Sequence, residues 1–244
     1  MALSDPAAGG VQLLAMHGWG GDHRAWAPWG AAAARRGWSL GWGERGYGHQ
    51  VQLEPQWSGT GRRALLVHSM GIHLVPGAVL AAAEAVVLLA SFGRFVPPGA
   101  PGRRGQLALE AMANRLSNGD SDGLLKDFLA QAAAPDPEEL LPAGPREEGV
   151  PPAGQGRLLA DLDLLGRLTA LPEAFPASAA VLVVEAGDDR IVAPESRRLL
   201  VEALPRASHW TLAGAGHSLL RADLLTPVLN WLEAALSAEV SGHG

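Results

Sequence analysis

Short apolar runs alternate with longer stretches of helical periodicity along most of this chain, the rhythm of βαβ units and a mostly parallel sheet. Val11 to Met16 is predicted as a buried strand ending in a glycine-rich turn, and Ala64 to Val67, Val86 to Ala90 and Ala180 to Glu185 as three more strands. Ser39 to Trp42 and His209 to Leu212 read as shorter, weaker strands. Ala25 to Arg36, Gly71 to Ala83, Pro194 to Leu204 and Ala222 to Ala235 carry helical spacing. From Phe95 to Leu171 the rhythm breaks: Gln106 to Leu116, Ser121 to Ala133 and Arg157 to Leu168 are helical in pattern, and no strand interrupts them. Pro135 to Gly156, rich in Pro, Gly and Glu, reads as a surface loop. An all-helical insertion between sheet strands is the natural place for a cap that selects substrate. The expectation is an α/β protein with a core at 1–94 and 172–244 and a helical cap at 95–171.

Composition narrows the chemistry. A length of 244 residues, 48% of them hydrophobic, can bury one sizeable core. The absence of cysteine removes disulfide scaffolds, thiolate metal sites and thiol nucleophiles together, and it fits a reducing compartment. A net charge of -6 argues against a nucleic-acid partner. The opening MALSDPAAGG has neither a basic nor an apolar leader region, so a cytoplasmic protein is expected. The longest apolar stretch, Leu74 to Phe92, is interrupted by Pro76 and Glu84, so no membrane span is expected. His23, His49, His73, His209 and His243 show no metal-ligand spacing, and the chain has no phosphate-cradling G-x-x-x-x-G-K loop. No metal and no cofactor is expected.

The first chemical signal is Leu65-Leu66-Val67-His68-Ser69-Met70-Gly71-Ile72. A buried strand runs straight into a turn with serine at its apex and glycine two residues later, the pattern of a nucleophile elbow. Such a turn strains the serine backbone and lifts Oγ above the sheet. Val67 stands where the G-x-S-x-G form has its first glycine, and alone the segment reads equally as a serine capping a helix. A serine nucleophile needs a base, and the base an orienting carboxylate. His217 lies at the tip of a small-residue loop after His209 to Leu212, and Asp188 and Asp189 share the polar turn after the Ala180 to Glu185 strand. The chain order Ser, Asp, His suits that constellation, and either aspartate could serve. In Met16-His17-Gly18-Trp19-Gly20-Gly21 the glycines permit close backbone approach, which makes the Trp19 and Met70 N–H groups candidate oxyanion donors. His17 reads as a loop hydrogen bonder, and His68 as a side chain packed beside the strand, rather than as the base.

H-G-W-G-G at 17–21, R-G-Y-G at 45–48, H-S-M-G at 68–71, D-R-I-V-x-P at 189–194 and G-x-G-H at 214–217 together resemble the α/β-hydrolase superfamily over nearly the whole chain. Within it the sequence most resembles the pimeloyl-acyl-carrier-protein methyl ester esterases of biotin synthesis. Trp26 after G-W-G, a short helical cap, Asp127-Phe128-Leu129-Ala130 and Leu158-Leu159-Ala160-Asp161-Leu162 carry that likeness. The resemblance implies a helical cap inserted after the sixth strand, Ser69 as nucleophile, His217 as base and Asp189 rather than Asp188 as its partner. It also implies Trp19 and Met70 as the oxyanion hole, with Trp19 and Phe128 against the acyl chain, although Phe128 reads as well as cap packing. The substrate would be a small acyl ester on acyl carrier protein, whose acidic surface Arg103, Arg104, Arg115, Lys126 and Arg157 could meet. Hydrolysis of another small ester, a thioester or a carbon–carbon bond on the same scaffold, or a binding protein that retains the fold without catalysis, are the alternatives.

Overall fold

The structure is a computed structural model that describes residues 10–238; the leader reading of residues 1–9 and His243 lie outside the described residues. Six strands form one sheet: β1 (Val11–Met16), β2 (Ser39–Trp42), β3 (Arg62–His68), β4 (Ala85–Leu89), β5 (Ala180–Ala186) and β6 (Ser208–Leu212). Their spatial order is β2-β1-β3-β4-β5-β6, and every neighbouring pair is parallel. All six predicted strands are present, each within two residues of its expected ends.

Parallel strands covered on both faces should read as continuous apolar runs, and β3 and β4 do. Leu66 and Val87 face one layer, with α1 (Ala27–Ala34) and α7 (Ala222–Ala238); Leu65 and Val86 face the other, with α2 (Gly77–Ala81) and α6 (Pro194–Ala203). All four of these strand side chains are fully buried, each contributing roughly 1.5–3 kcal/mol through removal from water. Trp26 and Trp29 belong to the α1 side of this core.

The chain leaves β1 towards β2 and returns on the other side of β1 as β3. Between β1 and β3 the winding reverses, and the crevice beyond the carboxyl ends of those two strands is where open α/β sheets bind ligands.

Prolines redraw three of the expected elements. The first predicted helix divides into a 3-10 turn (His23–Trp26), capped by the Asp22 carboxylate on Arg24 N–H, and α1, which has proline in its first turn. The predicted Gly71 to Ala83 helix divides likewise, because Pro76 ends the 3-10 turn region Ser69–His73 before α2 begins. Pro152 starts a helix inside the stretch read as loop, five residues ahead of the expected Arg157. The remainder of that stretch holds two further 3-10 turns, Glu138–Leu140 and Pro145–Glu147, instead of being wholly irregular.

Between β4 and β5 lie α3 (Ala100–Ser117), α4 (Ser121–Ala133) and α5 (Pro152–Arg167). The helical insertion therefore follows the fourth strand of this sheet and not a sixth, since among the described residues no strand precedes β1. Leu109, Leu116, Leu158, Leu162 and Leu165 of the insertion share one apolar cluster with Trp19, Met70, Phe92 and Val192. The insertion thus closes over the switch point.

Candidate active site

Ser69 follows β3 directly and has φ 55, in the left-handed region that costs a non-glycine residue on the order of 1–3 kcal/mol. The strain is held by what surrounds it. A Cβ on Gly71 would lie 2.5 Å from the Met16 carbonyl oxygen, so only glycine lets the turn close against β1. Val67, in the place of the elbow's first glycine, is fully buried and packs with Met16, Ile72 and Leu88.

His217 Nε2 lies 3.0 Å from Ser69 Oγ, and His217 Nδ1 lies 2.8 Å from Asp189 Oδ2. The other Asp189 oxygen accepts the N–H groups of Ile191 and Val192 at 2.8 and 2.9 Å. Burial pushes the Asp189 carboxyl up, but the charge and hydrogen bond of His217 and those two N–H groups outweigh it and hold it below the usual carboxylate range. Asp188, the competing aspartate, is exposed, and among the described residues its one hydrogen bond is from its main-chain N–H to the Ala215 carbonyl at 2.9 Å. Gly216 is obligatory before the histidine: a Cβ there would sit 2.4 Å from the Ala134 carbonyl oxygen.

The two neighbouring histidines brace this assembly. His68 Nε2 donates to the His217 carbonyl at 3.0 Å, and burial, followed by the nearby His217 ring, pushes the His68 pKa down to about 3. Its ring is therefore neutral near neutral pH. His17 stands between the Gly18 carbonyl, 2.9 Å from Nδ1, and Arg45 N–H, which donates to Nε2 at 3.1 Å. It shapes the loop after β1 and does not reach Ser69 Oγ by any hydrogen bond among the described residues.

That loop comes as close to Ser69 as backbone allows. A Cβ on Gly18 would lie 2.7 Å from Ser69 Cβ and 3.2 Å from its Oγ. Among the described residues no carbonyl accepts from Trp19 N–H, and Met70 N–H belongs to the first turn of a 3-10 segment, where no intrahelical acceptor exists. Both free donors lie beside the serine. The Trp19 indole donates to the Leu158 carbonyl at 3.0 Å and meets the Phe128 ring edge-on at 4.8 Å between centroids. These two rings stand at the junction with a cavity of about 690 Å³, lined by apolar side chains that include Phe92, Leu109 and Met112, and by Ser69 itself. Its volume is that of a small-ligand pocket.

The five basic residues of the insertion do not form one patch. Arg115 is engaged by Asp120 and Asp127 at 2.6 and 2.8 Å, and Arg157 donates to the Gly46 carbonyl at 2.9 Å. Arg103, Arg104 and Lys126 are exposed, and Arg104 lines the large cavity.

Two groupings had no signal in sequence spacing. Arg45 holds Asp161 with two bonds of 2.7 Å, and the Tyr47 hydroxyl donates to the same carboxylate at 2.6 Å, joining the R-G-Y-G loop to α5. Burial raises the Tyr47 pKa well above its ordinary value, with the Asp161 charge adding to it. Asp22, His23 and Glu44 also bring ligand-type atoms within 4.8 Å of one another. Those atoms serve protein donors: Glu44 accepts from His23 N–H, the His23 ring and Gly46 N–H, and Asp22 from the Arg24 guanidinium. Burial pushes the Glu44 carboxyl up, yet the neighbouring His17 and the two N–H groups bring it down to about 2.

A parallel sheet with serine, aspartate and histidine brought together at its carboxyl edge beneath a helical insertion is the α/β-hydrolase fold. Among solved structures the chain is similar to an enol-lactonase from Burkholderia xenovorans LB400, with TM-score 0.69 and 19% identity over 93% of this chain and 92% of that one. It is similar also to a malate-bound thermophilic esterase from Thermogutta terrifontis (TM-score 0.67, 17% identity, 93% and 91% covered). BioG from Haemophilus influenzae is similar with TM-score 0.56 and 16% identity over 87% and 91% of the two chains. At such identities the likeness establishes the fold alone. No family model and no curated protein matches the chain. Among the described residues no helix is long and apolar enough to cross a membrane.

Proposed function

We propose that this protein is a cytoplasmic serine carboxylesterase that hydrolyses the methyl ester of a pimeloyl-type acyl chain carried on acyl carrier protein. The observation that carries the reading is the continuous relay from Ser69 Oγ through His217 to Asp189, at 3.0 and 2.8 Å, beside two N–H groups free of acceptors. Its motifs' resemblance to the biotin-pathway esterases supplies the substrate. An enol-lactonase and an esterase among its structural neighbours are in keeping with hydrolysis of a carboxylic ester.

Ser69 Oγ attacks the ester carbonyl carbon while its proton passes to His217 Nε2. The oxygen that becomes negative is met by Trp19 and Met70 N–H, each such donor contributing on the order of 3 kcal/mol at the transition state. Collapse breaks the bond to the alkoxy oxygen, which takes the proton from His217 and leaves as methanol. A water then gives its proton to His217 and attacks the acyl-enzyme, releasing the free carboxylic acid and restoring Ser69. Throughout, Asp189 keeps the imidazole oriented and balances its transient charge. The large apolar cavity takes the acyl chain, and exposed Arg103, Arg104 and Lys126 offer cations to an acidic carrier.

Hydrolysis of methyl octanoate by purified protein is expected to fall about 10⁴- to 10⁶-fold in Ser69→Ala; retained activity would refute the serine mechanism. For the substrate, expression should restore growth without biotin to a strain that lacks its own methyl esterase. Soluble, ester-hydrolysing protein that does not restore growth would refute the pimeloyl assignment.

A further inference from the structure

Ser69 faces a second space besides the large cavity. A chamber of about 60 Å³ is lined by Ser69, His217, His68, Gly18 and, on its far side, Leu141 to Gly144. Trp19, Phe128 and Ser69 line both spaces, so the reacting carbonyl must sit where they meet. His217 lines the chamber and is not among the residues lining the large cavity.

This asymmetry assigns the two halves of an ester. The proton that releases the alcohol comes from His217 Nε2, so the alkoxy oxygen must lie on the imidazole side. The acyl chain points away from it across the carbonyl carbon, into the cavity that Met70 and Met112 line. We propose that the chamber is the alcohol site of the enzyme and that its size, set by Leu141, Pro142 and Ala143, restricts the reaction to esters of one- and two-carbon alcohols. A water needs about 10–15 Å³ measured in the same way, so the chamber takes about four to six water-sized groups. Methanol or ethanol fits together with the water that replaces it, whereas butanol and that water would need the whole chamber.

The chamber also backs onto a second space. Ala25, Leu141, Pro142, Ala143, Ser218 and Leu220 line it and at the same time line an outer groove of about 640 Å³. These six residues therefore stand between the alcohol site and that groove. The charged groups on the groove all have partners, Arg221 with Asp136 at 2.6 Å and with Asp223 at 3.1 Å, and Arg24 with Asp22, behind the groove, at 2.7 Å. A polar rim without surplus charge suits the exchange of methanol for water while the acyl chain still fills the large cavity.

The inference rests on the serine-esterase reading, and its test separates the two. Rates are measured for methyl, ethyl, butyl and hexyl esters of one acid, octanoic, and for methyl esters of acids of increasing length. One methylene too many in a pocket is worth about 10- to 200-fold in kcat/KM. Wild-type protein should therefore prefer methyl to butyl octanoate by at least about tenfold while accepting long acids. Leu141→Ala should raise butyl relative to methyl turnover by about tenfold and leave the preference for acid length unchanged; Met112→Ala should do the reverse. Equal wild-type rates on methyl and butyl esters, with Ser69→Ala inactive, would overturn the alcohol chamber and leave the esterase reading standing. A shift in acid length from Leu141→Ala would overturn it as well. Wild-type protein inactive on every ester would overturn both readings together.

Discussion

The sheet edge and the helical insertion hold opposite walls of one cavity, and they hold them by different means. Ser69 follows β3 immediately, Asp189 stands three residues beyond the end of β5 and His217 five beyond the end of β6, so strand pairing fixes all three. Around them glycines remove side chains where backbones must nearly touch. The opposite wall is placed by a few distant polar contacts: Arg45 and Tyr47 on Asp161, the Trp19 indole on the Leu158 carbonyl, Arg157 on the Gly46 carbonyl. One wall is built into the sheet, and the other is fastened to it. Chemistry is therefore expected to withstand changes that alter which acyl chain is accepted.

The largest expected effect falls on the fastening. Asp161→Ala leaves the Arg45 guanidinium and the buried Tyr47 hydroxyl without their acceptor, and loss of one partner from such a buried ionic pair costs about 3–5 kcal/mol. Urea denaturation of the variant should show that loss, while the folded variant still cleaves methyl acetate and loses its advantage on methyl octanoate. Equal losses on both esters would mean that the two walls are one unit.

Somewhat smaller is the effect of crowding the sheet-edge side. Gly18→Ala puts a methyl group against Ser69 Cβ and must push the loop carrying Trp19 N–H away. Displacements of this kind cost on the order of 10²-fold in rate, here in kcat and for short and long acyl esters alike. Steady-state kinetics on the two substrates decide it, and a loss confined to the octanoyl ester would contradict the division.

The smallest effect, taken one pH unit at a time, is that of acid. The His68 pKa, about 3 in the fold, lies below the ordinary value of 6.5, so between those pH values the unfolded chain binds a proton that the folded one refuses. Stability must then fall as pH drops from 6.5, with a slope of about 1.4 kcal/mol per pH unit for one proton. Glu44, at about 2 against 4.5, acts in the same direction at lower pH, its contribution being present above 4.5 and fading as pH falls towards 2. His68→Gln should flatten the stability curve between pH 6.5 and 4.5, read from denaturation midpoints across that range. An unchanged slope would place the proton elsewhere.

The same division explains what could be read in the sequence. The sheet edge is legible because each reactive group stands in a short contiguous motif at the end of an apolar run: H-S-M-G, D-R-I-V-x-P and G-x-G-H. Even so, two adjacent aspartates could not be separated by spacing, and the distinction is made by the turn that gives Asp189 the N–H groups of Ile191 and Val192. The fastened wall was not legible. Arg45 meets Asp161 across 116 positions and Trp19 meets Leu158 across 139, and hydrophobic periodicity carries no information about such pairings. Leu141 to Gly144 read as loop because proline and glycine forbid long regular elements there, which says nothing about the chamber they face. The early start of the last insertion helix was missed for a related reason, since Pro152 breaks a helix interior yet suits its first turn.

Glycine and alanine codons differ by a single base, and this chain is rich in both residues. At Gly156, in α5, an added methyl would meet nothing within 4 Å, and the exchange to alanine should even favour the helix. At Gly18, Gly71 and Gly216 the same one-base step drives a carbon into Ser69 Cβ, the Met16 carbonyl oxygen or the Ala134 carbonyl oxygen. The commonplace mutation of such a gene is thus harmless over much of the surface and closed off at three points around one serine. Two glycines of the insertion, Gly102 and Gly154, are closed in the same way against the Pro97 and Tyr47 carbonyl oxygens, so drift is barred at fixed points of both walls.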